Sequence, residues 1–176
     1  MKQKIGLWQL MGFAVTSLGG TLLHFLYDWT NFLPLSLISS VNESTWEHMK
    51  LMVSPMLLFA LVQSFYFKNY SKNFWKIKLI GLLVGTASIP ILFYTLTGIF
   101  GTLSGTTNII IFFVSIILAF SLETRLFKKD CKFSKFEMLY VIILCLTWIL
   151  FAIFTIYPPK LPLFLDPITK TYGITL

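Results

Sequence analysis

Histidine changes charge near neutral pH and is the commonest metal ligand, and this chain has only two, His24 and His48. Asp28 follows His24 by four residues, Glu43, Glu47 and Lys50 flank His48, and Asp166 stands far along the chain. The stretch Val41-Asn42-Glu43-Ser44-Thr45-Trp46-Glu47-His48-Met49-Lys50 heads a largely apolar run from Leu51 to Phe67. Ionisable groups set into such a run are costly to keep, which makes them candidates for function. Three chemistries suit the set. His24 with Glu43 or Glu47, joined by His48 or Asp166, is a donor set for a divalent cation such as zinc, with a position left for water. Without metal, Glu47 or Glu43 serves as base and His24 or His48 as acid, since burial raises a carboxylate toward neutrality. A proton or cation relay uses the same groups, with Lys50 as counter-charge.

Supporting roles follow from spacing. A carboxylate at i+4, as Asp28 is to His24, can hold a ring nitrogen and fix the tautomer. Asn42 and Trp46 border the charged stretch as binding or supporting residues. At 100° per residue, Glu43, Glu47, Lys50 and Ser54 share one helical stripe, and His48 lies about 100° round from Glu47. A purely structural account competes for these residues. Ser44-Thr-Trp-Glu47 matches a capping box, Asn42 is an alternative cap, and Glu47 with Lys50 is an i,i+3 pair. That account leaves His24 and Asp166 unexplained. Asp166 precedes Pro167 and fits either a turn at the tail or a carboxylate pointing back at the bundle.

The elements that must position these groups are membrane-grade. Hydrophobic residues make up 56% of the 176, and charged ones only 12%, against roughly 25% in soluble domains. Five runs approach the ~20 apolar residues that cross a bilayer: residues 5–27, 44–67, 77–99, 105–122 and 138–157. The fold class is therefore all-α, a single transmembrane domain over 1–176 with five helices and a tail over 158–176. Residues 5–27 exceed a signal-peptide core and lack an A-x-A cleavage site, so they read as a retained helix.

Charge gives the orientation. Eleven of the fourteen basic residues lie at Lys2 and Lys4, between Lys68 and Lys78, and between Arg125 and Lys135. The positive-inside rule then puts the amino terminus in the cytoplasm and the carboxyl terminus outside. Both histidines and Asp28, Glu43, Glu47 and Asp166 fall on the outer side, while Glu123, Asp130 and Glu137 sit among lysines. The net charge of +7 is explained by topology and attraction to a lipid bilayer; basic residues interleaved with exposed aromatics, as nucleic acid requires, are absent. Cys131 and Cys145 lie at different depths, which argues against a disulfide. Gly81 and Gly85 form a GxxxG contact surface, Pro55 and Pro90 predict kinks, and Trp8, Trp29, Trp46 and Trp75 read as interfacial belts. Trp148, deep in the fifth run, reads as packing. Two segments, 32–38 and 160–165, share an LPLxL core and are expected at the outer interface or over the bundle mouth.

The run Val41 to Leu51, with His24-Phe-Leu-Tyr27 before it and Leu161-Pro-Leu-Phe-Leu-Asp166-Pro after it, resembles a family of small polytopic bacterial membrane proteins, a domain of unknown function. The resemblance covers the whole chain and implies a bacterial plasma (inner) membrane protein; it supplies no activity. The combined expectation is an outward-facing His/Glu/Asp pocket, formed by the first two helices and closed by the tail. It would serve an enzyme or binding protein for a lipid or small molecule. An ion-coupled transporter, or an accessory subunit whose charges merely cap helices, are the alternatives. The sequence sets neither ligand nor oligomeric state.

Overall fold

The computed structural model describes residues 2–67, 73–129 and 136–174. Five helices account for most of them: α1 Lys2–Thr30, α2 Thr45–Phe67, α3 Phe74–Phe100, α4 Gly105–Lys128 and α5 Glu137–Ile156. All five are long and apolar enough to span a membrane. The expected runs are therefore found, with α1 and α4 extending several residues beyond the apolar stretches that announced them. The helices run on through Pro55 and Pro90.

The helix ends follow local chemistry. Just past the ends of α1 and α3, Asn31 and Gly101 take positive φ (50° and 78°), and their N–H groups donate to Tyr27 O and Thr97 O of the last turns. Ser104 caps α4 by accepting from Thr107 N at 3.2 Å. The capping box at α2 forms only in half. Ser44 Oγ accepts from Glu47 N (3.4 Å), but Ser44 N donates to Asn42 Oδ1 (2.9 Å) and the Glu47 carboxylate goes elsewhere.

The most buried helix is α2, which packs against all four others and carries Met52, Val53 and Met56 in the core. Close approach of α3 and α4 depends on the GxxxG pair. A Cβ on Gly85 would meet Ala119 Cβ at 2.8 Å and Ser115 O at 3.2 Å, and one on Gly81 would meet the Glu123 side chain. Trp148 donates to Ser54 Oγ at 3.2 Å, which ties α5 to α2. Trp46 is no belt residue: it is buried, with its ring 4.1 Å from Phe151 and 4.7 Å from Phe164.

The two LPLxL segments become short 3-10 turns, Leu33–Leu37 and Pro162–Phe164. The first packs on α1 and α5, the second on α2. Beyond them the tail folds back, pairing Leu165 with Tyr172 and donating from Ile174 N to Thr155 O. Lys78 corrects the reading of the basic loops. It lies inside α3, fully buried, and pairs with Glu123 of α4 at 2.6 Å. The helices continue past the apolar runs, so charges expected in solvent face each other across the bundle. Cys131, Asp130 and most of the two basic loops lie outside the described residues.

Candidate functional site

Three segments converge where α1 ends and α2 begins. The last turns of α1 bring His24, the first turn of α2 brings His48, and the linker before α2 brings Glu43. Oxygens of the Glu43 carboxylate lie 3.6 Å from His24 Nε2 and 3.4 Å from His48 Nε2, and the rings are 5.6 Å apart. Among the described residues this is the group of His, Cys and acidic side chains placed to hold a metal ion, with donor atoms within 4.8 Å of one another.

Glu43 is aimed from behind. Asp166 Oδ2 accepts from Glu43 N at 3.4 Å while Asp166 Oδ1 accepts from Ile168 N and Thr169 N. Asp166 is thus both the turn residue and the carboxylate pointing back, contacting the backbone of Glu43 rather than the rings. Asn42 Nδ2 donates to Gly173 O at 2.9 Å and pins the same linker to the tail. With a second proton on His48, at Nε2, a hydrogen bond to Glu43 holds that carboxyl below its ordinary value, against the raising effect of burial. Burial alone would raise the Asp166 carboxyl, but the donors at Ile168, Thr169 and Glu43 outweigh it and hold the group below its ordinary 3.8.

Each ring is fixed by its other nitrogen. His48 Nδ1 lies 3.1 Å from Ser44 O, a carbonyl that can only accept, so Nδ1 carries the proton. His24 Nδ1 lies 3.2 Å from Ser40 Oγ, and that hydroxyl is 3.0 Å from His24 O. The single hydroxyl proton goes to the carbonyl, so Ser40 accepts from Nδ1–H. Ser40, rather than the exposed Asp28, is the partner of this ring. Ser39 steadies the loop by donating to Leu23 O and accepting from Tyr27 N.

In neutral rings so oriented, both Nε2 lone pairs point at a carboxylate. Lone pairs facing lone pairs repel unless a proton or a cation stands between them. The arrangement is built around a positive charge.

Glu47 and Lys50 do different work. Lys50 Nζ spends its three protons on Glu47 (2.5 Å), Ser36 O (2.7 Å) and Thr155 Oγ1 (2.7 Å). Glu47 also accepts from Thr155 Oγ1 (2.7 Å) and Val41 N (3.2 Å). Every donor and acceptor is matched, as a buried ion pair requires. The expected stripe of Glu43, Glu47 and Lys50 divides because α2 starts at Thr45, so helical spacing never reaches Glu43. His48, rather than Glu47, shares its side.

Two cavities meet at the histidine cluster. One, of 390 Å³, lies between α1 and α4 beside His24; the other, of 220 Å³, lies towards α3. Glu43, His48, Asn108 and Phe112 line both. Among the described residues, Asn108 Oδ1 is buried without a partner. Sequence reasoning missed Ser40, Asn108 and Thr155. Each is a commonplace polar residue, and the only signal was that Asn108 and Thr155 interrupt or border apolar runs.

The fold and cluster define a helical bundle of membrane-spanning length with a polar centre at one end. The chain belongs to a family of unknown function (DUF6512), matched over residues 1–174. No curated protein and no solved structure matches it.

Proposed function

We propose that the chain is a multi-pass protein of a bacterial plasma membrane, its amino terminus cytoplasmic, that binds a divalent cation such as zinc through His24, Glu43 and His48 on the outer side. The centre serves to bind, and to act on, a lipid or small molecule held in the adjoining cavities. One observation carries this reading: both rings commit Nδ1–H to protein oxygens and turn bare Nε2 atoms on one carboxylate. That is how proteins orient histidine ligands. A bound dication would polarise a ligand oxygen as a Lewis acid. Ser40 and Ser44 hold the rings, Asp166 holds Glu43 on station, and Asn108 offers its amide to whatever lies opposite.

The test is metal analysis of detergent-purified protein, stripped with chelator and re-dialysed against zinc. About one equivalent per chain is expected, absent from His24→Ala, His48→Ala and Glu43→Gln. Ser40→Ala should weaken binding by about 10–100-fold. Zinc uptake unaffected by His24→Ala and His48→Ala would leave these residues as interface pairs only.

A proton- or cation-coupled carrier is the second reading, favoured by a separate observation. Gln9, which reaches Glu123, and Thr16, Ser17, Gln63 and Thr86, whose side chains lack partners among the described residues, are buried through the bundle towards the Lys78–Glu123 pair. Zinc-independent, pH-driven flux through reconstituted vesicles, lost in Glu123→Gln, would favour it over the first.

A further inference from the structure

The shape of the larger cavity specifies a class of ligand for the His24–Glu43–His48 centre, an inference that rests on the reading of that centre above. His24, Glu43, His48 and Asn108 supply its polar groups near the helix ends, and Thr21, deeper in the wall, turns its hydroxyl to Ser17 O. The rest of the wall is apolar, chiefly Phe25, Ile109, Phe112 and Phe113. Phe25 is 44% and Ile109 58% exposed, so the apolar end reaches the flank of the bundle between α1 and α4. Thr21 lies nine residues before the end of α1, and Phe113 eight residues into α4. At 1.5 Å per residue both stand about 12–14 Å below the helix ends, at the depth of hydrocarbon in a spanning bundle. The cavity thus has an apolar flank at hydrocarbon depth besides its polar end, where Glu43 is accessible.

Charge selects the head. The one carboxylate of Glu43 faces two rings. A bound dication would leave one positive charge uncancelled against it. Asp166 spends its carboxylate on backbone amides, and Asp28 does not line the cavity. Asn108 adds a buried amide oxygen without a partner among the described residues, a place for a hydroxyl or acid proton of the head.

We propose that the centre receives an amphiphile with an anionic oxygen head, phosphate or carboxylate, whose single hydrocarbon chain leaves between α1 and α4 into the bilayer.

The test places the protein in phosphatidylcholine nanodiscs with dodecyl phosphate or dodecanoate carrying a diazirine in the chain. After irradiation, labelled peptides are mapped, with and without chelator. Label should concentrate on Thr21–Phe25 and Ile109–Phe113. Unlabelled dodecyl phosphate should displace it, and methyl phosphate at the same concentration should not. Thr21→Trp should cut labelling by about tenfold or more, the loss expected if ~1.4 kcal/mol of tail binding is blocked. Thr21 is exposed and bonds only Ser17 O; Ile109→Trp, on the opposite wall, repeats the experiment should the first variant misfold.

Label spread evenly over the exposed faces of all five helices overturns the proposal. So does label indifferent to both tryptophans, or equal displacement by methyl phosphate. Focused label in protein that takes up no zinc sinks the metal reading and keeps the amphiphile. Zinc uptake with uniform label does the reverse. Which of the two heads labels more strongly separates a lipid phosphate from a free fatty acid.

Discussion

At the scale of single residues, the centre depends on groups whose roles their own identities do not announce. His24, Glu43 and His48 are conspicuous in an apolar chain, and their types alone suggested a cation. Their partnership was not legible, because Glu43 precedes the first turn of α2 and takes its direction from Asp166, 123 positions along the chain. The Asp166 carboxyl is held below 3.8, so its charged form is favoured by folding. Such a group contributes stability above its unfolded value and loses it as pH falls through the lower folded value. The clasp between tail and linker should therefore persist at neutral pH and release below about pH 3.8. Hydrogen exchange of residues 166–174 across an acid series measures this. In Asp166→Ala the same amides should exchange fast at every pH, and wild-type amides that exchange no more slowly than the variant's at neutral pH would refute the assignment.

Between elements, the Glu47–Lys50–Thr155 network joins α2, α5 and the turn at Leu33–Leu37. The i,i+3 pair itself was visible in the sequence. Its third member was not, since a threonine near the end of an apolar run looks like any other. Removing one partner of a matched buried pair leaves a charge uncompensated, at a cost of about 3–5 kcal/mol. Lys50→Met should show that loss. Thr155→Val, which strands one carboxylate oxygen, should cost about 1–3 kcal/mol. The double variant should fall short of the sum, because the two side chains share Glu47. Unfolding in a fixed detergent gives all three values; strict additivity would show that the network does not act as one unit. The Lys78–Glu123 pair makes a contrast. Lys78 is ringed by Phe59, Phe74 and Phe120, so this pair sits among aromatic rings rather than in a matched polar network. It escaped sequence reading because charges at the edge of an apolar run look like loop charges until the helices prove longer than the run.

For the molecule as a whole, five runs of bilayer length were plain from hydropathy, since apolar length is the quantity a membrane selects. Where the chain turns back was less plain: the LPLxL segments have no periodicity, and only packing shows that they brace α1, α2 and α5. The sidedness proposed from the lysine distribution is open to direct test. Single cysteines at Lys129 and Thr169, in a chain freed of Cys131 and Cys145, should label oppositely with an impermeant maleimide on intact cells. The second is expected to react at once and the first only after lysis. Labelling of both from one side would break the five-span arrangement, and the reverse pattern would invert it.

The tail that closes over Glu43 also sets an order of events. His24, Glu43 and His48 are synthesised early, within the first two helices, yet Glu43 lacks its anchor until Asp166 arrives and Asn42 lacks its own until Gly173 does. Through most of synthesis the three donors travel together without being held in register. The centre is thus among the last features of the bundle to mature, and the proposed cation binding should appear only once the tail has docked.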